Sequence, residues 1–385
     1  MFSSRLPARL SPSVLSQAVS HARAAGRVRF DLTETNPTVV GLTGPTGVVE
    51  ALVDRAALTY EPAALGTEAA RRAVAASRAV DPARLMLTAS TSEAYSFLFK
   101  LLCDPGDEVL VPHPSYPLFD LLTALDGVRP SPYRLDAAGG WCLDRASLDQ
   151  AVTASTRAVL VVSPNNPTGS MLHRDDREWL VAFARVHGLV LISDEVFADY
   201  PLSPGPEVTS LLGEERVLTF TMGGLSKSAG LPQMKLAWTV VSGPDELVAS
   251  ALERLDMIAD TYLSVSTPVQ LAAPALLEAG LGIRAAIHAR VRKNLETLRE
   301  TVRRAPALTL HEPGGGWSVV VRVPAILSEE QWVLHLVEAH GVLVHPGFFF
   351  DIDTGVHLVI SLLPPPDVFE SGVSRIADVA SGPLS

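Results

Sequence analysis

Apolar residues fall in short dense runs along the chain: RLMLT (84–88), EVLVP (108–112), RAVLVV (157–162), LVLIS (189–193), RVLTFT (216–221) and MKLAWTVV (234–241). Between and after these runs the period changes. HRDDREWLVAFARVHG (173–188) reads as a helix closed by Gly188, and 244–262 carries Leu252, Leu255, Ile258 and Tyr262 on one side. Residues 281–304 place Ile283, Ile287, Val291, Leu295, Leu298 and Val302 at three-to-four spacing, a further helix. Near-continuous apolar strands alternating with helices predict an α/β fold with a mostly parallel sheet covered on both faces. Past residue 304 the strands shorten to GGWSVVVRVP, GVLVHPGFFF and VHLVISLL, with helices at about 328–340 and 367–380, a smaller α+β unit. Residues 1–30 read as an arm with a short amphipathic helix (Leu15, Val19, Ala22), followed by a strand and polar turn in FDLTETNPT. The expected division is therefore an N-terminal arm and part of a small domain (1–39), a large domain (40–280) and a small C-terminal domain (281–385).

At 385 residues, 47% hydrophobic and 19% charged, the composition is globular. A formal net charge of −11 opposes nucleic acid or an anionic membrane as partner, so the six arginines of 281–304 read as a solvated helix face. The two cysteines, Cys103 and Cys142, make neither a metal spacing nor a disulfide framework. The N-terminal stretch is polar and broken by proline, and no apolar run is long enough to span a bilayer. These features predict a cytoplasmic protein without a bound metal.

In sheets of this kind ligands gather at the carboxyl ends of the strands. Three polar side chains stand at such ends: Asn166 after RAVLVV, Asp194 after LVLIS, and Lys227 after RVLTFT. Lys227 follows Ser226 inside a run of small residues (Gly223, Gly224, Ser228, Ala229, Gly230), on a turn between two apolar strands. At Ser90, Thr91 and Ser92 hydroxyls meet a helix start, which suits either ordinary capping or an anion.

Taken in order, an Asn36-Pro37 turn, DPGDEVLVPHPSYP, SPNNPTG, SDEVFADY, LSK, GGW and PG together resemble the class I/II aminotransferase superfamily of fold-type I enzymes that use pyridoxal phosphate. Asn166 lies 28 residues before Asp194 and Lys227 lies 33 after it, a combination more specific than any single piece. The resemblance implies a large cofactor-binding domain in a three-layer sandwich. It implies that Lys227 holds the cofactor as a Schiff base and shuttles the substrate proton, and that Asp194 pairs with the ring nitrogen. Asn166 would donate to the ring hydroxyl oxygen and Tyr116 would stack on the ring. Thr91, Ser92, Ser226 and Lys235 would hold the phosphate, with Tyr60 reaching in from the partner subunit of a homodimer. The implied reaction moves an amino group from an amine donor to a keto-acid acceptor. Two alternatives stand beside it. One is a lyase, decarboxylase or specialised biosynthetic enzyme of the same fold, since the Asn36-Pro37 turn is similar to that of threonine-phosphate decarboxylases. The other is a non-catalytic module that binds the cofactor.

Four positions depart from the family pattern. Lys235 stands where arginine is usual, Gly224 where a phosphate-binding hydroxyl is frequent, and Phe197 where a tyrosine usually shares the ring oxygen. Val359 stands where the family's substrate-carboxylate arginine is expected. Either Arg322, His345 or His357 substitutes for it, or the substrate offers no free α-carboxylate there and Phe348, Phe349 and Phe350 line an apolar pocket. Core packing is the ordinary use of such a triplet.

Overall fold

The computed structural model describes residues 3–7, 11–203 and 207–382. An eight-stranded sheet forms its centre, in the spatial order Leu85–Thr88, Ala237–Ser242, Thr219–Gly224, Val190–Asp194, Thr156–Val162, Glu108–His113, Arg129–Asp136 and Cys142–Leu143. The five strands from Thr219–Gly224 to Arg129–Asp136 run parallel. Ala237–Ser242 runs against both its neighbours, and Cys142–Leu143 against Arg129–Asp136. Successive strand residues point to opposite faces. Val109, Val111, Ala158, Leu160, Ile192 and Phe220 accordingly meet the helices Thr91–Leu102 and Asp245–Tyr262 on one side. Leu110, Val159, Val161 and Leu191 meet Arg174–His187 on the other. The near-continuous apolar runs follow from this double burial.

A second, antiparallel sheet has the order Thr309–His311, Ser318–Arg322, His357–Ser361, His345–Pro346. Phe30–Asp31 pairs in parallel with Val342–Leu343, so the N-terminal segment joins the C-terminal part of the chain.

Several local expectations change length. The run LVLIS forms the strand Val190–Asp194, and Glu195–Tyr200 then turns, with Ala198 N donating to Glu195 O and Tyr200 N to Phe197 O. The helix expected over 281–304 spans Thr267–Arg304 and so runs across residue 280, where the sequence suggested a domain boundary. Pro274 and Gly280 disguised it. Gly280 is where the helix crosses the Lys227 turn: a Cβ there would lie 2.4 Å from the Cβ of Ala229. The small residues are a packing requirement of this crossing.

Candidate active site

Val162, Asp194 and Met222 are neighbours in register across three parallel strands. This register brings Asn166, Asp194 and Lys227 to one end of the sheet, where all three line a cavity of about 330 Å³. Thr91, Ser92, Ser226 and Tyr116 line it too, together with Thr35, Tyr95, Phe119, Phe197 and Ser318. The size suits a small-molecule site. A larger groove of about 1120 Å³, beside Trp141 and Asp351, contains neither Lys227 nor Asp194. Its lining carries His113, Cys142 and several exposed Asp and Arg side chains, but no lysine.

Each member is held locally. The turn carrying Asn166 is pinned by Asn165, whose Oδ1 accepts from Thr168 Oγ1 (2.9 Å). Gly169, at φ 69°, lies so close to the 313–315 segment that a Cβ would fall 2.5 Å from Pro313. On the Lys227 turn, Leu225 N donates to Leu236 O (2.9 Å), Ser228 Oγ to Gly224 O (2.9 Å) and Tyr200 Oη to Lys227 O (2.5 Å). At Gly224 a Cβ would sit 3.1 Å from that of Ala237, a tight fit for any larger residue. Ser90 is the helix cap, accepting from Glu93 N (3.1 Å), and Glu93 returns the bond by accepting from Ala89 N (2.7 Å). Capping is thus Ser90's task, which leaves the Thr91 and Ser92 hydroxyls facing the cavity in the first turn.

Asp194 is buried, and burial raises its carboxyl above the usual range. Hydrogen bonds from Tyr95 Oη to Oδ2 (2.8 Å) and from Val196 N to Oδ1 (3.1 Å) oppose that rise, as does the charge of Lys227. The Lys227 amine packs over two aromatic rings, 4.8 Å from the centroid of Trp317 and 5.3 Å from that of Phe197. Burial lowers its pKa to about 8, with Asp194 pulling the other way. Nearness to a carboxylate therefore only partly offsets desolvation.

Two expected contributors lie elsewhere. Lys235 is exposed, in a left-handed backbone conformation (φ 53°), and is not part of the cavity wall. Tyr60 is 72% exposed and sits beside Leu263 and Gln270, away from the cavity of its own chain. None of Arg322, His345 and His357 lines the cavity, nor does any of the three phenylalanines. Phe350 instead packs with Trp141, Val320, Ile352 and Val359 in a small apolar cluster, while Phe348 and Phe349 are exposed. Val359 is 2% exposed within that cluster, so the position is filled by packing.

Sequence reasoning missed Tyr95, Trp317 and Tyr200. Tyr95 was detectable: it follows Thr91 by four residues, one helical turn, on a face otherwise apolar. Trp317 and Tyr200 come from distant segments and meet edge to face with centroids 5.1 Å apart. Only folding brings them to Lys227.

The chemistry of this donor set fits pyridoxal phosphate. Asn166 Oδ1 is buried without a hydrogen-bond partner among the described residues, at the wall of the cavity, so nothing holds the amide against turning its Nδ2 toward a ring oxygen. Beside it stand an amine, a buried carboxylate and hydroxyls at a helix start, which match an aldehyde, a ring nitrogen and a phosphate.

Fold and site together define an α/β enzyme of the fold-type I group. The sequence matches the family described as aminotransferase class I and II over residues 47–370, and the chain belongs to that family. It is a pyridoxal-phosphate-dependent aminotransferase. The chain is 26% identical to the alanine aminotransferase of Mycobacterium tuberculosis over 382 residues, covering 94% of this chain and 88% of that protein. It is 30% identical to an arginine–pyruvate transaminase of Pseudomonas aeruginosa over 346 residues, 86% of each chain. An aminotransferase of Escherichia coli superposes with a TM-score of 0.87 at 25% identity, covering 99% of this chain and 98% of the other. Of the readings left open by the sequence, these similarities support the transferase.

Proposed function

We propose that Lys227 is the residue that binds pyridoxal phosphate, with Asp194 at the ring nitrogen, Asn166 at the ring oxygen and Tyr116 against the ring face. Thr91, Ser92 and Ser226 would hold the phosphate, and Lys235, exposed and two residues before Ala237 of the cavity wall, would contribute its charge only by turning its side chain inward. The observation that carries this reading is the convergence of Lys227, Asp194 and Asn166 on one cavity from the ends of three adjacent parallel strands. The cofactor, when bound, supplies a carbonyl carbon and an electron-withdrawing ring. The protein's own part is positioning and proton handling. An amine with a pKa of about 8 is partly neutral near neutral pH, so Lys227 Nζ can accept a proton at the substrate carbon and return it. The Asp194 carboxylate, held by two hydrogen bonds, favours a cationic ring nitrogen. Phe197 and Trp317 cover one side of the amine with aromatic surface.

The reaction moves an amino group from an amine donor to a keto-acid acceptor. The relatives named for alanine and pyruvate make that pair the first to assay. For a substrate carboxylate, however, the cavity wall offers neutral donors only (Thr35, Asn166, Ser318), Lys227 being its only cation among the described residues. This supports donors that do not depend on a carboxylate clamp.

The proposal includes a cytoplasmic homodimer in which Tyr60 completes the partner's phosphate site; its exposure on its own chain supports this. It also retains the division into arm, large domain and small domain, with the long helix Thr267–Arg304 as the connection. Borohydride reduction of the yellow protein followed by peptide mapping tests the lysine. Label on the Lys227 peptide, and none in Lys227→Ala, is expected; label elsewhere overturns the assignment.

A further inference from the structure

Asp194 receives one bond whose donor comes from a different layer of the fold. Tyr95 lies on the helix Thr91–Leu102, is 3% exposed, and places its hydroxyl 2.8 Å from Asp194 Oδ2. Its ring is fixed edge-on against Phe119, with centroids 5.2 Å apart, and tilted against Phe99 at 6.0 Å. Phe119 in turn meets Tyr116 edge-on at 6.4 Å. The phenol has no alternative acceptor among the hydrogen bonds of the described residues.

We propose that Tyr95 is a positioning residue for the transamination site: by donating to Asp194 Oδ2 it keeps that carboxylate ionised and aimed, and so sets how firmly Asp194 holds the cofactor's ring nitrogen. The inference rests on the role proposed for Asp194. A carboxylate buried this deeply tends to take up a proton, and a neutral carboxyl cannot pair with a pyridinium. The Val196 amide satisfies Oδ1. Tyr95 satisfies Oδ2, and burial together with Asp194 raises its phenol well above its ordinary range, so it stays a donor throughout the working pH. The other ionisable groups that bear on Asp194 are Lys227, Tyr116 and the neighbouring Glu195. Of the two tyrosines, only Tyr95 touches the carboxylate.

The test is equilibrium binding of pyridoxal phosphate to cofactor-free protein at pH 6 to 8, for wild type, Tyr95→Phe and Asp194→Asn. Tyr95→Phe keeps the ring and its packing. It is expected to bind the cofactor about ten- to a hundredfold more weakly, the usual effect of a bond to a charged group. The deficit should widen as pH falls, because protons then compete for Asp194. In the loaded enzyme kcat should fall while KM for the amine donor stays within about twofold. Tyr95→Phe binding like wild type at every pH, with Asp194→Asn still impaired, overturns the role of Tyr95 alone. Asp194→Asn binding like wild type overturns the role of Asp194 and this inference with it. If Tyr95→Phe does not fold, a monofluorotyrosine placed at position 95 serves instead. This stronger donor should move the pH dependence of binding to lower pH, and an unmoved dependence overturns the proposal.

Discussion

The amine of Lys227 lies over the indole ring of Trp317, 4.8 Å from its centroid, while the carboxylate of Asp194 acts on it from the neighbouring strand end. Desolvation favours the neutral amine; the carboxylate favours the cation. The balance near pH 8 has a consequence for the cofactor-free protein. The rate at which Lys227 reacts with an amine reagent such as trinitrobenzenesulfonate should rise with pH, with its midpoint at about 8. Asp194→Asn removes the charge that supports the ammonium form, so the midpoint should move lower. A midpoint that stays near 10.5, the ordinary lysine value, would show that the amine is not held in this environment.

Phe197 stands at the cavity wall, 5.3 Å from the same amine, and cannot donate to a ring oxygen. Phe197→Tyr adds a donor that would stabilise that oxygen as an anion. The visible-absorbance titration of the loaded enzyme should then shift to lower pH, by roughly one unit for a charge-assisted bond. An unchanged or raised midpoint contradicts the assignment of Phe197.

Val359 gives two linked expectations. Without a paired cation, binding of a carboxylate weakens by an amount on the order of 3–5 kcal/mol, or two to four orders of magnitude. Alanine and aspartate should therefore be slow in the single-turnover half-reaction compared with amines that lack an α-carboxylate. Fast turnover of alanine by the unmodified enzyme defeats this. Because Val359 stands where the family's carboxylate-binding arginine is expected, Val359→Arg would be the obvious way to restore such substrates. The structure argues against it, because Val359 packs with Trp141, Val320, Phe350 and Ile352 and is not among the residues lining the cavity. An arginine there would be a buried, unpaired charge, so the variant should unfold earlier by roughly 3 kcal/mol or more and gain no activity on alanine.

The small antiparallel sheet carries a histidine pair, His311 and His357, with ring centroids 5.3 Å apart and Arg322 nearby. Burial, then His311 and Arg322, lowers the His357 pKa to about 4. Its folded pKa lies below the unfolded value of 6.5, so the unfolded chain binds more protons between pH 6.5 and 4. Stability should fall as pH drops through that window, by on the order of 2 kcal/mol from this group, and level off below pH 4. In His357→Phe the melting temperature should vary less over the same range. An equally steep profile in the variant would place the acid sensitivity elsewhere.

Much of this site was legible before folding. Asn166, Asp194 and Lys227 are marked by local events that sequence records directly: an apolar run ends, a turn begins, and a polar residue stands at the junction. Ser90, Thr91 and Ser92 were visible as a helix start for the same reason, although only the structure assigns the cap to Ser90. Such features depend on neighbours along the chain, and the period of the pattern encodes them.

What tertiary structure alone decided depends on which distant segments meet. The parallel register of Val162, Asp194 and Met222 turns three separate strand ends into one cavity. The Tyr95–Asp194 bond joins residues 99 positions apart, and Trp317 approaches Lys227 from the segment that leads into the second sheet. The fate of Val359 depended on Trp141, Phe350 and Ile352 packing over it, which its own segment does not specify. Side-chain periodicity determines which face a residue occupies; what covers that face is settled by close packing between elements that the chain brings together only when it folds.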